Sequence, residues 1–286
     1  MASDKEGWEL FMLIRTLVEN TVVSANFASE HGLSLHIETP DLNILFDVGA
    51  SDLFAQNAQR LGVDIGAVDL LVISHGHYDH GGGLKKFLEL NTKAPIYIRE
   101  GAFGKHYAVH PKGTTRYIGL EEDIKGHGQL KLVAATDCFS PAPGVEIFAN
   151  VAQVEPLPRA NKGLFREEGG RRVRDVFAHE QNLIIYRGDK TLLLVGCAHN
   201  GVVNILRHFY NMKGFLPHYV LGGFHLSSPM GSQESLPQLE KIADYLLQTK
   251  AKYYTGHCTG LTAYEHLKAL MGDRLGYLAT GSVLKI

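Results

Sequence analysis

The sequence predicts an α/β protein in which two mixed β-sheets pack face to face with helices on their outer faces, an αββα sandwich. In each half of the chain, a hairpin of two strands is followed by units of strand, loop and helix. No linker or change of composition separates the halves. We therefore expect one domain over residues 1–286, with an irregular insertion or lid at about 101–180.

The first half begins with a predicted hairpin and continues with strand–loop–helix units. Strands are predicted at 11–17, 33–38, 43–47, 70–73 and 95–98, and helices at 51–61 and 84–90. The strands are apolar or alternating runs bounded by turn residues. The first helix repeats its apolar residues at helical spacing, and Ser51 and Gly62 provide its start and stop.

The second half repeats this order and places three histidines at strand ends. Strands are predicted at 130–133, 145–151, 182–187, 191–195, 219–221 and 252–255 and in two short runs near the C-terminus, with helices at 201–211, 234–249 and 261–271. His199, His225 and His257 each follow a strand and lie close to glycine. We expect these three side chains on the same rim of the sandwich as the histidine-rich loop at 75–80.

Composition excludes several classes of protein. With 45% hydrophobic and 20% charged residues in 286, the chain can bury a large core. A net charge of −2 argues against general nucleic-acid binding. Acidic residues at positions 4, 6 and 9 argue against a secretory signal, and no apolar run is long enough to span a membrane. The three cysteines, too few for a disulfide framework, predict a cytoplasmic protein.

Three histidines and one aspartate lie directly after the apolar run at 70–73. His75, His77, Asp79 and His80 fall within six residues, and the neighbouring glycines let the backbone approach an ion closely. The loop can turn His75 and His77 toward one point and the other two toward a neighbouring point. Such donors suit zinc, iron or manganese. A histidine-rich surface turn would have no reason to follow a buried strand, so we interpret the loop as a metal site.

This His-x-His-x-Asp-His motif resembles the signature of the metallo-β-lactamase superfamily. Further stretches at 19–21, 30–34, 46–49, 196–199, 222–226 and 256–260 resemble the branch of dihydropterin–ribofuranosylaminobenzene-phosphate synthase-like metallohydrolases. The resemblance extends from about residue 13 to 285.

The resemblance implies two divalent transition metals, with zinc favoured and iron or manganese as alternatives. His75, His77 and His199 would hold the first metal, and Asp79, His80 and His257 the second. It also implies that Asp47 orients a ligand histidine; the alternative from local sequence alone is a structural cap.

One position departs from the superfamily pattern. Most members bridge their two metals with an aspartate after the strand that here ends at Gly222, whereas this chain has His225. A neutral imidazole cannot bridge as a carboxylate does, so His225 either binds one metal or contacts substrate. We assign His225 and Asp79 to catalysis. Cys197 and Cys258 adjoin the predicted ligands, and we favour a packing role for them over a thiolate ligand.

A cationic segment at 155–174 has two interpretations. It is either a solvated face or a lid that binds an anion. For the lid, Arg159, Lys162, Arg171 and Arg172 are the residues that would bind the substrate's anionic group.

The motifs together predict a metal-dependent enzyme that acts on an anionic, phosphorylated small molecule through a dinuclear centre. The resembled reactions are hydrolysis and the displacement of diphosphate by a pterin synthase. The alternative is a metal-containing regulator that binds a ligand with little catalysis. A nuclease of the same superfamily is disfavoured by the balanced charge. The sequence does not predict the oligomeric state.

Overall fold

The computed structural model describes residues 11–134 and 138–286, so the acidic N-terminal residues at 4, 6 and 9 lie outside the described part. Its strands, in chain order, are β1 (Leu13–Val18), β2 (Ser34–Glu38), β3 (Asn43–Phe46), β4 (Leu70–Val72), β5 (Ile96–Arg99), β6 (His106–Val109), β7 (Thr115–Tyr117), β8 (Leu130–Val133), β9 (Cys138–Ala142), β10 (Val145–Ala149), β11 (Leu164–Glu168), β12 (Arg171–Arg174), β13 (Gln181–Arg187), β14 (Lys190–Leu194), β15 (Tyr219–Gly222), β16 (Lys252–Thr255), β17 (Leu275–Tyr277) and β18 (Val283–Lys285). The α-helices are α1 (Leu53–Arg60), α2 (Tyr78–Gly81), α3 (Leu84–Leu90), α4 (Val202–Lys213), α5 (Leu236–Gln248) and α6 (Leu261–Met271).

Two of the described sheets are mixed and have seven strands each. The first has the order β18-β1-β2-β3-β4-β5-β8, and β3, β4, β5 and β8 run parallel. The second has the order β17-β16-β15-β14-β13-β10-β9, and β14 to β17 run parallel. Each sheet therefore joins an antiparallel hairpin half to a parallel half, as the repeated order along the sequence predicts.

Three apolar clusters correspond to the three interfaces of an αββα sandwich. The central cluster joins the two sheets, with Leu35 and Phe46 of the first against Leu183, Leu194 and Leu221 of the second. A second cluster packs α1 and α3 on the first sheet, and a third packs α4, α5 and α6 on the second. Burial of these apolar faces is the main stabilising contribution. The helices among the described residues are too short or too polar to cross a bilayer.

The carboxyl ends of the parallel strands meet at one edge of the sandwich. The loops after β3, β4, β14, β15 and β16 all open there, which brings the strand-end histidines together. The second sheet can close tightly at this edge because residue 222 is glycine: its φ is +138°, and a Cβ would lie 1.8 Å from the carbonyl oxygen of Val195.

Part of the region at 101–180 forms a small third sheet instead of irregular chain. Its strand order is β12-β11-β6-β7, and a short 3₁₀ turn at Arg159–Gly163 precedes β11. The small sheet lies over the edge of the sandwich at which the strand-end histidines meet. An apolar cluster of Ile118, Leu164 and Phe177 packs it there. These short strands were missed because most of their side chains are polar and half exposed, which removes the apolar alternation that marks a strand.

Candidate metal centre

Two groups of side chains that could hold a metal ion lie side by side at this edge. In the first, the donor atoms of His75, His77 and His199 all lie within 4.8 Å of one another; in the second, so do those of Asp79, His80, Cys197 and His257. All of these residues are buried. The structure thus brings together the six residues predicted as ligands, divides them into the predicted sets, and adds a cysteine to the second set.

Hydrogen bonds fix two histidines of the first group with their Nε2 lone pairs pointing inward. The Ser74 hydroxyl lies 2.7 Å from an oxygen of Asp47, to which it donates, so it is left to accept a hydrogen bond from His75 Nδ1 at 2.9 Å. The amide of Asn161 donates to the His199 carbonyl, so its oxygen faces His199 Nδ1 at 2.9 Å. Both imidazoles therefore carry their proton on Nδ1. His75 Nε2 and His199 Nε2 lie 3.2 Å apart.

The second group repeats this arrangement. His80 Nδ1 donates to Asp47 at 2.6 Å, and His257 Nδ1 donates to the amide oxygen of Asn20 at 3.0 Å. The two Nε2 atoms again lie 3.2 Å apart, and an oxygen of Asp79 lies 3.3 Å from His257 Nε2.

The donor sets fit metal ions. Two lone pairs that face each other at 3.2 Å repel unless a cation lies between them. A tetrahedral ion with bonds of about 2.0–2.1 Å to nitrogen places its nitrogen ligands about 3.3–3.4 Å apart, which is close to both observed separations. The residues present would therefore hold one ion in each group, with His75, His77 and His199 on the first and Asp79, His80 and His257 on the second.

Two buried glutamates bind the backbone of the two predicted ligand histidines that follow β14 and β16. The buried carboxylate of Glu180 accepts from the backbone N–H of His199 at 2.6 Å, and that of Glu19 accepts from His257 at 2.6 Å. Together with Asn161 and Asn20, these glutamates fix each ligand loop at both backbone and ring. None of these four residues was predicted from the sequence as part of the site, although Glu19 and Asn20 lie in the stretch at 19–21 that carries the family resemblance.

At four positions around the two donor groups, the backbone adopts a conformation that residues other than glycine seldom take. Asp47, Ala198, His225 and His257 have φ between +50° and +60°. Backbone strain of this kind is kept where the surrounding structure needs a side chain aimed in one direction.

A further cluster of His106, Asp175 and His179 supports His77. Asp175 accepts from His106 Nδ1 at 3.0 Å and from His179 Nε2 at 3.2 Å, and His179 Nδ1 accepts from the backbone of Gly76. Because these groups already bond one another, we interpret the cluster as a support for the metal loop, not as a metal site of its own. His106 is buried, and its hydrogen bond to Asp175 satisfies one of its ring nitrogens.

A cavity of about 290 Å³ opens over both groups. Its walls include His31, Tyr78, Arg116, Ile118, Leu164 and Met230, and its floor includes residues of both donor groups. Arg116 stacks on Tyr78 at 4.6 Å and makes no ion pair with any carboxylate of the described chain. His31 Nε2 lies 3.3 Å from an Asp79 oxygen.

The four cations predicted to bind an anion are not among the residues that line this cavity. Arg159, Lys162, Arg171 and Arg172 are all exposed. Arg172 donates to Thr115 at 2.9 Å, and Thr115 itself lines the cavity. Among the described residues, the cationic side chain on the cavity wall is that of Arg116, which lies outside the dense basic segment and was therefore not predicted from the sequence.

Burial and neighbouring groups together set the protonation of the predicted ligands. Burial, reinforced by neighbouring imidazoles, lowers the pKa of His75, His77 and His199 well below the ordinary value of 6.5. Burial alone would raise the pKa of Asp79, but the neighbouring imidazoles of His257 and His31 hold that pKa well below its ordinary value. Neutral imidazoles and an ionised carboxylate are the forms that bind metal.

Acidification of the metal-free protein is expected to lower its stability below pH ~6.5. His75, His77 and His199 stay neutral in the fold but take up protons when unfolded, so their contribution is present above that pH and is lost as pH falls. The loss is about 1.4 kcal/mol per pH unit for each histidine until its folded pKa is reached. His80, whose pKa Asp47 raises against the effect of burial, stabilises the fold at low pH, but its contribution no longer grows below ~6.5.

Urea unfolding of chelator-treated protein at several pH values between 7.5 and 5.5 would measure this slope. A free energy of unfolding that stays constant below pH 6.5 would contradict the neutral, buried state of these histidines.

Comparison with known proteins gives the family. The family model of the metallo-beta-lactamase superfamily matches residues 30–257. An uncharacterized protein of Methanocaldococcus jannaschii is 32% identical over 93% of this chain and 98% of its own. The 7,8-dihydropterin-6-methyl-4-(beta-D-ribofuranosyl)-aminobenzene-5'-phosphate synthase of the same organism is 29% identical over 95% of this chain and 96% of its own.

Solved structures agree with the predicted fold. A crystal structure described as a metal-dependent hydrolase of the beta-lactamase superfamily aligns with a TM-score of 0.82 at 28% identity, over 96% of this chain and 99% of that one. Zinc-bound PqqB from Methylobacterium extorquens aligns with a TM-score of 0.57 at 14% identity, over 95% of this chain and 99% of its own. The αββα prediction is confirmed. The chain belongs to the metallo-β-lactamase superfamily, and its similarity to the dihydropterin synthase confirms the resemblance to that branch.

Proposed function

We propose that this protein is a metal-dependent enzyme that acts on an anionic, phosphorylated small molecule through a dinuclear centre, by hydrolysis or by displacement of diphosphate. The observation that carries the proposal is the pair of adjacent donor groups, each with two imidazole Nε2 atoms 3.2 Å apart, beneath one cavity. When bound there, two divalent ions, for which we favour zinc, would activate water and neutralise phosphate oxygens.

The cavity wall supports a substrate with one apolar and one anionic part. Ile118, Leu164 and Met230 give an apolar surface, while Arg116 offers a guanidinium without a carboxylate partner in the described residues. A guanidinium can hold phosphate or carboxylate oxygens in pairs. The synthase to which this chain is similar carries an aminobenzene 5'-phosphate in its name, which is consistent with such a substrate.

Besides the proposed metals, the side chains of His31 and Asp79 are polar groups that could contact a substrate in the cavity. His31 is partly exposed to the cavity and can donate a hydrogen bond to Asp79, so it would hold that carboxylate in place. His225 also lines this cavity, and neither of its ring nitrogens has a hydrogen-bond partner among the described residues. We place this enzyme in the cytoplasm, with neither nucleic acid nor membrane as a partner.

The test is a screen of metal-replete protein against phosphate monoesters, phosphodiesters, lactones and pterin methyl diphosphates. Once a substrate is found, Arg116→Ala is expected to raise KM about 10–100-fold, since a hydrogen bond to a charged group contributes about 1.5–3 kcal/mol. The comparison is a variant in which Arg159, Lys162, Arg171 and Arg172 are all alanine, assayed at low ionic strength. A large rise in KM in this quadruple variant, with KM unchanged in Arg116→Ala, would favour the predicted lid. Tight ligand binding without turnover would favour the regulator, and absence of bound metal would contradict both functions.

A further inference from the structure

Three buried side chains, one of which also belongs to the second donor group, form a third possible donor group. The sulfur atoms of Cys197 and Cys258 and one ring nitrogen of His225 lie within 4.8 Å of one another. Their exposures are 3%, 5% and 7%, and all three line the floor of the cavity. Such spacing would allow one ion to contact all three atoms.

His225 lacks the hydrogen bonds that a buried histidine needs. Neither Nδ1 nor Nε2 has a partner in the described structure. A buried polar group left unsatisfied costs about 1–3 kcal/mol, and the φ of +50° at this residue adds backbone strain. By contrast, the supporting histidines His106 and His179 are bonded to Asp175. The arrangement at His225 is stabilised if an ion binds one of its nitrogens.

Cys197 connects this group to the second predicted metal. Its sulfur lies 3.1 Å from His80 Nε2 and also belongs to the set with Asp79 and His257. An ion with bonds of about 2.0–2.1 Å to nitrogen and about 2.3 Å to sulfur places those two ligands about 3.1–3.6 Å apart for angles of roughly 90–110°. The observed separation agrees with a shared ion.

The chain leaves room for the second sulfur. A Cβ at Gly223 would lie 2.5 Å from Cys258 Sγ, so a side chain at that position would displace the sulfur. Gly223 stands directly after the strand end at which most of the superfamily provides a bridging aspartate. This chain therefore has space and sulfur donors at the place where it lacks the carboxylate.

We propose that Cys197, Cys258 and His225 form a sulfur-containing metal position next to the histidine–aspartate groups, with Cys197 shared between this position and the second metal. The inference rests on the metal centre proposed above. On binding, the thiols that become ligands release their protons to solvent, and thiolates favour zinc or cobalt over magnesium or manganese. This replaces the packing role that the sequence favoured for the two cysteines.

Cobalt(II) loading of the full-length protein tests the proposal without relying on activity. We expect a thiolate-to-cobalt charge-transfer band in the near ultraviolet in addition to the weaker visible bands of cobalt. Cys197→Ser is expected to lose most of this band, and Cys258→Ser or His225→Ala to reduce or shift it. Cys138→Ser is the matched control, since Cys138 is exposed and distant in the sheet order, and it should keep the full band.

The outcomes separate this inference from the proposed function. Bound cobalt without a charge-transfer band in the wild-type protein would overturn the sulfur site and leave the histidine–aspartate centre standing. An unchanged band in both Cys197→Ser and Cys258→Ser would do the same. Absence of bound cobalt after metal-free preparation and reloading would overturn both. The wild-type spectrum decides even if a variant fails to fold.

Discussion

Replacing His77 with alanine is expected to remove one metal equivalent per chain while the other remains. His77 is buried, belongs to the first donor group and is absent from the second. The change leaves His75 and His199 as the only histidines of that group, and their two nitrogens cannot enclose an ion alone. The loss of affinity at the first position should exceed the roughly 10–100-fold that loss of a supporting residue costs.

Elemental analysis of protein purified after metal-replete expression gives the measurement. The matched control is His110→Ala, because His110 lines the same cavity but belongs to neither donor group. The control should retain the wild-type metal content, and His77→Ala should lose catalytic turnover together with its metal. Equal metal content in the wild type and His77→Ala would contradict the division into two groups.

The change Asp47→Asn is expected to weaken metal binding about 10–100-fold and to lower the free energy of unfolding by about 1–3 kcal/mol. Fully buried, Asp47 accepts from the Ser74 backbone at 2.7 Å, from the Ser74 hydroxyl at 2.7 Å and from His80 Nδ1 at 2.6 Å. An asparagine has one oxygen for these three donors, and its amide nitrogen must face a donor. One buried N–H is therefore left unsatisfied, and His80 loses its orientation.

Asparagine isolates this effect from backbone strain. Asp47 has φ of +60°, a conformation that asparagine tolerates better than alanine does. The comparison is Asp64→Asn, in which an exposed aspartate that accepts one backbone N–H from Gly66 is changed in the same way. Metal titration and urea unfolding of both variants check the prediction. An Asp47→Asn protein with wild-type metal affinity would reduce Asp47 to a structural cap.

The sequence predicted most of the helices and the strands of the two large sheets because those segments carry clear apolar patterns. Helix α4 is an example: Val202, Ile205, Leu206 and Phe209 recur at helical spacing and are buried, and Gly214 ends the helix in a left-handed conformation. The strands of the small sheet, β6, β7, β11 and β12, carry no such pattern. They form because they pair with one another above the edge of the sandwich that carries the two donor groups.

By itself, the sequence determined the superfamily, the αββα fold and the types of donor residues, because local spacing and short motifs encode these features directly. Only the tertiary structure decided which groups support and complete the centre. Glu19 binds the backbone of His257 across 238 residues of chain, and Cys197 approaches His80 across 117. Contacts of this kind depend on how parallel strands from the two halves end at one edge. The periodicity of apolar residues along the chain does not predict which side chains will meet at that edge.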